Sequence, residues 1–182
     1  NEMLLQDYMA KNAKTKEEKL YYLGMALESM RGTWFRQAMF AEFELKIHEE
    51  AEAGRPLSGA RMTEMYCDLL KNFHGDAEGV MKINSTYFVE WAFIPHFYRD
   101  FYVYQYATSI TGAALRASRI ETGDPKERDT FRALLKAGGS DYPYDLVKTA
   151  GVDLATQAPY QALVTRMNGI MDEIEAILAK RK

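Results

Sequence analysis

Behind Pro95 the chain reads His96-Phe97-Tyr98-Arg99-Asp100-Phe101-Tyr102-Val103-Tyr104-Gln105-Tyr106, which sets one histidine and four tyrosines in a short span. A core cluster would ordinarily use Phe and Leu. Each Tyr hydroxyl is both donor and acceptor, and costs free energy when buried without a partner. Repeated tyrosine beside histidine therefore points to a surface that handles a polar ligand. On a continuous helix Tyr98, Tyr102 and Tyr106 would share one face by steps of four, with Tyr104 elsewhere, so some of the four belong to the core.

The other histidines invite a metal reading that their spacing does not support. His48-Glu49-Glu50-Ala51-Glu52 begins like the His-Glu-x-x-His of helical zinc peptidases, but Glu52 stands where the second imidazole is needed. Di-iron bundles use Glu-x-x-His pairs; Glu44 precedes His48 by four, and neither His74 nor His96 has a glutamate three residues earlier. No metal ligand is assigned within the chain. His48 reads as a solvated helix residue, and His74 as a helix-end side chain beside free carbonyls. Nucleophilic catalysis finds no Gly-x-Ser-x-Gly elbow, and the glycines form no phosphate-binding loop. The lone Cys67 reads as a small core residue with nothing to activate it. Glu42, Glu44, Glu49, Glu50 and Glu52 read as a solvated helix face.

The elements that must position these groups are helical. Apolar residues recur at spacings of three and four almost throughout, and no stretch alternates as a strand would, so the expected fold is all-α. With 182 residues, 47% of them hydrophobic, one core and a single helical domain over residues 1–182 are expected. A first helix covers Met3 to Met9, and Lys11 to Lys14 form a loop. Thr15 and Glu18 make a capping box, and Tyr21, Tyr22, Met25, Ala26 and Met30 give the next helix its stripe. Gly32 is placed to kink the chain before a pattern from Trp34 to about Ala53, stopped by Gly54-Arg55-Pro56. A helix through Met62, Met65, Leu69 and Leu70 stops near His74-Gly75. The irregular stretch 76–95 looks like a substrate-facing loop, and Pro95 opens a helix running to about Thr122. Asp124-Pro125 starts another, ended by Gly138-Gly139. Tyr142-Pro143 starts a short one ended by Ala150-Gly151. Pro159 opens the last, with Arg166, Asp172, Glu173 and Lys180 facing outward.

Composition narrows the partners. A net charge of −3 argues against nucleic acid, which needs clustered Lys and Arg. Apolar runs such as Trp91-Ala92-Phe93-Ile94-Pro95 are far shorter than the roughly 20 residues that span a bilayer, and no secretory signal opens the chain. One cysteine fits a reducing, cytoplasmic compartment. Asn1-Glu2-Met3-Leu4-Leu5 begins at once in a helical pattern without an initiator methionine, so the chain is expected to be a piece of a longer one. Its uncovered apolar residues are expected to drive homo-oligomers when it is isolated.

The blocks from Arg31 to Glu44 and from Ile94 to Thr108 resemble the C-terminal part of oligoendopeptidase F, of the thimet-type zinc oligopeptidases. Asn1 to Leu5, Tyr142-Pro143 and Ala150-Gly151-Val152-Asp153 resemble it too, so the likeness covers essentially the whole chain. It implies a multi-helix C-terminal subdomain of a thimet-oligopeptidase-like catalytic domain, part of a zinc metalloendopeptidase acting on short peptides. In that family zinc is held by both histidines of His-Glu-x-x-His and a glutamate of the next helix, elements that this sequence does not contain. Glu2 resembles a glutamate that orients a zinc-bound imidazole. His96 matches a histidine that binds the substrate backbone and stabilises the oxyanion. Tyr102 and Tyr104 match the accompanying catalytic tyrosines, and Tyr98 is a substrate-binding candidate, although the family's glycine loop is absent here. The resemblance implies two partners, short peptides and the rest of the catalytic domain, and an isolated chain without activity. The rival expectation is a non-enzymatic helical peptide-binding or interaction module, in which the tyrosines grip extended peptides and no metal takes part.

Overall fold

A computed structural model describes residues 1–179. Its helices are α1 (Glu2–Asn12), α2 (Lys16–Met30), α3 (Arg36–Glu52), α4 (Gly59–Phe73), α5 (Tyr104–Ile120), α6 (Pro125–Ala137), α7 (Pro143–Thr149) and α8 (Ala158–Ala179), with no strand among the described residues. A π-helical turn, Arg31–Phe35, joins α2 to α3 at the expected Gly32 kink, and 3-10 helices cover Ser85–Phe93 and Pro95–Tyr98. No helix among the described residues is long and apolar enough to cross a membrane. The chain divides into two compact units, one of Thr33–Ala107 and one of Asn1–Gly32 with the chain from Thr108 onward.

In the unit that holds both ends, α1 packs on α2, α2 on α8, and α6 on α7. Local chemistry sets the starts. Thr15 Oγ1 accepts the Glu18 N–H at 3.1 Å, while Glu18 Oε2 accepts from the Lys14 N–H at 2.6 Å, a capping box displaced by one residue. Asp124 Oδ1 accepts the Lys126 N–H at 2.9 Å, with Pro125 at the first helical position. The buried face of α2 is Leu23, Ala26 and Met30, whereas Tyr21 and Met25 are 63% and 50% exposed. The expected stripe is thus rotated off two of its members.

Arg166 departs from its expected place as well. It does not face outward but forks onto Asp7, Nη1 to Oδ2 and Nη2 to Oδ1, both at 2.7 Å, tying α8 to α1. Lys180 lies outside the described residues. The buried Arg116 of α5 donates to Glu127 Oε2 at 2.7 Å and to the Ala150 carbonyl at 3.1 Å, joining α5, α6 and the end of α7.

The other unit is built on an aromatic core. Met39, Phe40 and Phe43 of α3 meet Met65, Tyr66, Leu69 and Leu70 of α4, with Val103 beside them. Trp91, Ile94 and Phe97 pack against this cluster. The 3-10 segment is locked by polar side chains too. Glu90 accepts from Arg36 through one oxygen and from the Tyr66 hydroxyl, at 2.6 Å, through the other, and Trp91 Nε1 donates to Thr63 Oγ1 at 3.1 Å. Burial first, then the Glu90 carboxylate, push the Tyr66 hydroxyl well above the ordinary range, so it stays a donor. Cys67 of α4 is half-buried and is not part of this core cluster, and His74 Nδ1 lies 2.9 Å from the Leu70 carbonyl at the end of α4, as its place in the sequence leads one to expect.

Two readings are overturned here. Glu44 is not part of a solvated acidic face: it is 1% exposed, because it shares the inward side of α3 with Phe40 and Phe43. His48 is half-buried and lies against the Phe101 ring, centroids 4.6 Å apart, rather than standing free in solvent.

Candidate functional site

Pro95 organises the aromatic block as a short turn instead of a long helix. Ile94 before it is extended at φ −92° and ψ 97°, as the proline ring demands, and the following 3-10 helix ends at Tyr98. Phe97 pins that turn to the core, its ring 5.7 Å from Phe40 and 5.4 Å from Phe43. The chain then turns twice, with the Arg99 N–H donating to the His96 carbonyl and the Tyr102 N–H to the Arg99 carbonyl, both at 3.0 Å. Only at Tyr104 does α5 begin. The continuous helix expected from Pro95 to Thr122 is therefore broken over residues 99–103.

This break brings His96 beside Tyr102 and Tyr106, a pair that four-residue spacing would set on one face of a straight helix in any case. The Tyr102 ring stacks on His96 with centroids 5.7 Å apart and planes 22° from parallel. Tyr106 stands edge-on to both, 6.0 Å from His96 and 5.4 Å from Tyr102. Its hydroxyl donates to the Tyr102 hydroxyl at 3.3 Å. All three rings are half-buried. The Arg99 guanidinium lies 5.7 Å from the centre of the Tyr102 ring, within cation–π range.

The electrostatics keep the proton on the Tyr106 hydroxyl. The hydrogen bond to Tyr102 and then burial raise the pKa of Tyr106, with Arg99 pulling weakly the other way. Since Tyr106 fills a lone pair on the Tyr102 oxygen, the Tyr102 proton is left to point at a further acceptor. Such a chain polarises along its length, so the terminal donor is strengthened. The arrangement can bind a carbonyl or an oxyanion from one side, with the imidazole alongside.

The other two expected tyrosines are more open to solvent: Tyr98 is 87% exposed, and Tyr104, which opens α5, is 49% exposed. Glu2 belongs to the other unit, where its Oε1 accepts from Gln6 Nε2 at 3.4 Å and Ser29 Oγ at 3.3 Å. Tyr106 was not among the expected site residues, although its four-residue spacing from Tyr102 was a usable signal. Glu44 and Phe101 were also outside that set. The Glu44 carboxylate accepts the Phe101 N–H at 2.8 Å. Phe101 itself holds φ 51°, the positive-φ residue other than glycine among the described residues. A bulky side chain there costs about 1–3 kcal/mol.

A metal does not fit this donor set. Among the described residues no group of three or more His, Cys, Asp or Glu could hold a metal ion.

Comparison with known proteins gives a consistent assignment. The family model described as Peptidase family M3 matches residues 1–165. The chain is 42% identical over 182 residues to oligopeptidase PepF of Bacillus subtilis, covering all of this chain and 27% of that protein. It is 36% identical over 180 residues to the plasmid oligoendopeptidase F of Lactococcus lactis subsp. cremoris, covering 99% of this chain and 30% of that protein. The crystal structure of oligoendopeptidase-F from Enterococcus faecium superimposes with a TM-score of 0.90 at 33% identity, over 97% of this chain and 33% of that one. The chain thus spans about a third or less of the relatives it matches.

Proposed function

Because the chain belongs to peptidase family M3, we propose that it is the C-terminal part of the catalytic domain of a zinc metalloendopeptidase cleaving short peptides, and that it supplies one wall of the cleft. His96 and Tyr102 bind the substrate backbone and stabilise the negative charge that develops on the scissile carbonyl oxygen. Tyr106 supports Tyr102 from behind. Tyr104 is the second candidate catalytic tyrosine, and Tyr98 contacts flanking parts of the peptide. A hydroxyl aimed at developing charge stabilises the transition state more than the ground state, which is what lowers the barrier. The observation that carries this reading is the Tyr106-to-Tyr102 hydrogen bond beside the stacked His96.

Zinc belongs to the proposal through the resemblance alone. It would polarise the peptide carbonyl and activate water, held by residues of the whole protein outside this sequence, with Glu2 orienting one of the imidazoles. The contribution of this chain is to binding, orientation and charge stabilisation. Exposed apolar side chains on α1 and α2, Leu5, Tyr8, Tyr21 and Met25, mark the surface for the rest of the domain, and self-association replaces that partner in the isolated chain. A lone cysteine and short-peptide substrates suit a cytoplasmic enzyme.

The test is Tyr102→Phe in the full-length peptidase, assayed on a fluorescence-quenched short peptide. A fall in kcat of about 10²- to 10³-fold with KM little changed is expected for loss of an oxyanion donor. An unchanged kcat refutes the assignment.

A further inference from the structure

The segment from Arg99 to Val103 reverses the chain between the turn that carries His96 and the helix that carries Tyr106. It contains no glycine, yet Phe101 takes φ 51°, a conformation that the Cβ of an aromatic residue disfavours. Two contacts from α3 hold it there. Glu44 Oε1 accepts the Phe101 N–H at 2.8 Å, and His48, one helical turn further on, lies tilted against the Phe101 ring. On the other side of Tyr102, Val103 is fully buried in the aromatic core. Tyr102 therefore sits between two fixed neighbours.

Packing does not explain why a glutamate occupies this place. Glu44 is 1% exposed among Met39, Phe40 and Phe43, and burial raises its carboxyl pKa against the opposing pull of the Phe101 N–H and His48. A leucine or methionine would fill the same volume without a desolvation cost. What the carboxyl adds is an acceptor reaching out of α3 to a backbone amide in a strained turn.

We infer that Glu44 is a positioning residue for Tyr102: by accepting the Phe101 N–H it holds the positive-φ turn that sets the Tyr102 ring on His96. The inference rests on the reading that Tyr102 acts on substrate, and its route runs through the backbone of Phe101. Replacing the acceptor frees the turn to relax to negative φ, which swings Tyr102 off His96.

The experiment uses the full-length peptidase with Glu44→Met, Glu44→Gln, Phe101→Gly, the Glu44→Met/Phe101→Gly double variant and Tyr102→Phe as reference. Misplacing an aligned group by about 1 Å can cost on the order of 10²-fold, so Glu44→Met should lower kcat by roughly 10- to 100-fold with KM within about twofold. Glu44→Gln keeps an acceptor and should stay near the parent. Glycine adopts positive φ freely, so Phe101→Gly should restore most of the activity lost in Glu44→Met. A merely structural role for Glu44 would not be rescued at residue 101. If Tyr102→Phe is impaired while Glu44→Met keeps the parental kcat, or if Phe101→Gly restores nothing, the positioning role is overturned and the reading of Tyr102 stands. An unimpaired Tyr102→Phe overturns both. Should Glu44→Met fail to fold, Phe101→Val carries the test, since a β-branched residue at positive φ should unseat the turn and lower kcat comparably; parental activity there overturns the inference.

Discussion

Removing the Tyr106 hydroxyl probes the order of the two tyrosines. In the proposed arrangement Tyr106 never touches the substrate; it donates to Tyr102, which does. The O···O separation of 3.3 Å is long against the usual 2.7–2.8 Å for hydroxyl pairs, so the bond sits at the weak end of its class. Its loss in Tyr106→Phe should slow kcat only about two- to fivefold, because what disappears is the polarisation of the terminal donor and not the donor itself. Tyr102→Phe removes the donor and should cost about 10²- to 10³-fold. Since the second hydroxyl works only through the first, Tyr102→Phe/Tyr106→Phe should match Tyr102→Phe alone, a non-additive cycle. Steady-state kcat and KM of the four full-length proteins on one quenched peptide give the comparison. A Tyr106→Phe defect as large as that of Tyr102→Phe, or additive losses in the double variant, would refute the order and put Tyr106 in contact with substrate.

Two further outcomes follow from buried charge. The Glu44 carboxyl has its folded pKa raised above the ordinary 4.5, so its contribution favours the folded state most below that value and is lost as pH rises through the raised folded value. The melting temperature of the full-length protein should fall relative to Glu44→Gln across that window; parallel curves from pH 4 to 7 would contradict the sign. Asp7→Asn should strip the half-buried Arg166 fork of its charge partner and destabilise the chain by roughly 3 kcal/mol in denaturant titration, with Arg166→Met in the same background regaining part of it; a loss under about 0.5 kcal/mol would mean that the pair is no more than a surface bridge.

Helix ends were readable wherever a residue has one dominant local use. Thr15, Asp124-Pro125, Pro143 and Pro159 each mark a start that the structure contains, because capping and proline geometry act within four residues. Residues whose partners are distant in the chain were not readable in this way. Arg166 pairs with Asp7 across the sequence, and periodicity on α8 alone marks it as outward. Glu44 lies in a run of acids, and although its four-residue step from Phe40 sets it on the apolar side of α3, its partner, the Phe101 N–H, is distant in the chain. His96 and Tyr102 are singled out through the resemblance, whereas the reading of the tyrosines on one continuous helix is not followed by residues 99–103. A positive φ is normally announced by glycine or asparagine; at Phe101 it is imposed by contacts from α3, so the sequence carried no local mark of the bend that sets Tyr102 on His96.

The 3-10 segment Ser85–Phe93 bears on the order in which the molecule assembles. Nine residues of 3-10 helix exceed the three or four that such geometry usually sustains unaided, and its anchors, Arg36, Thr63 and Tyr66, sit on α3 and α4. It can therefore form only after those two helices have met. The aromatic turn behind it rests on α3 through Phe40, Phe43 and Glu44. Within this unit the helix pair is the template and the segment from Ser85 to Val103 is its late addition, so early amide exchange should begin in that segment, with α3 and α4 protected longest.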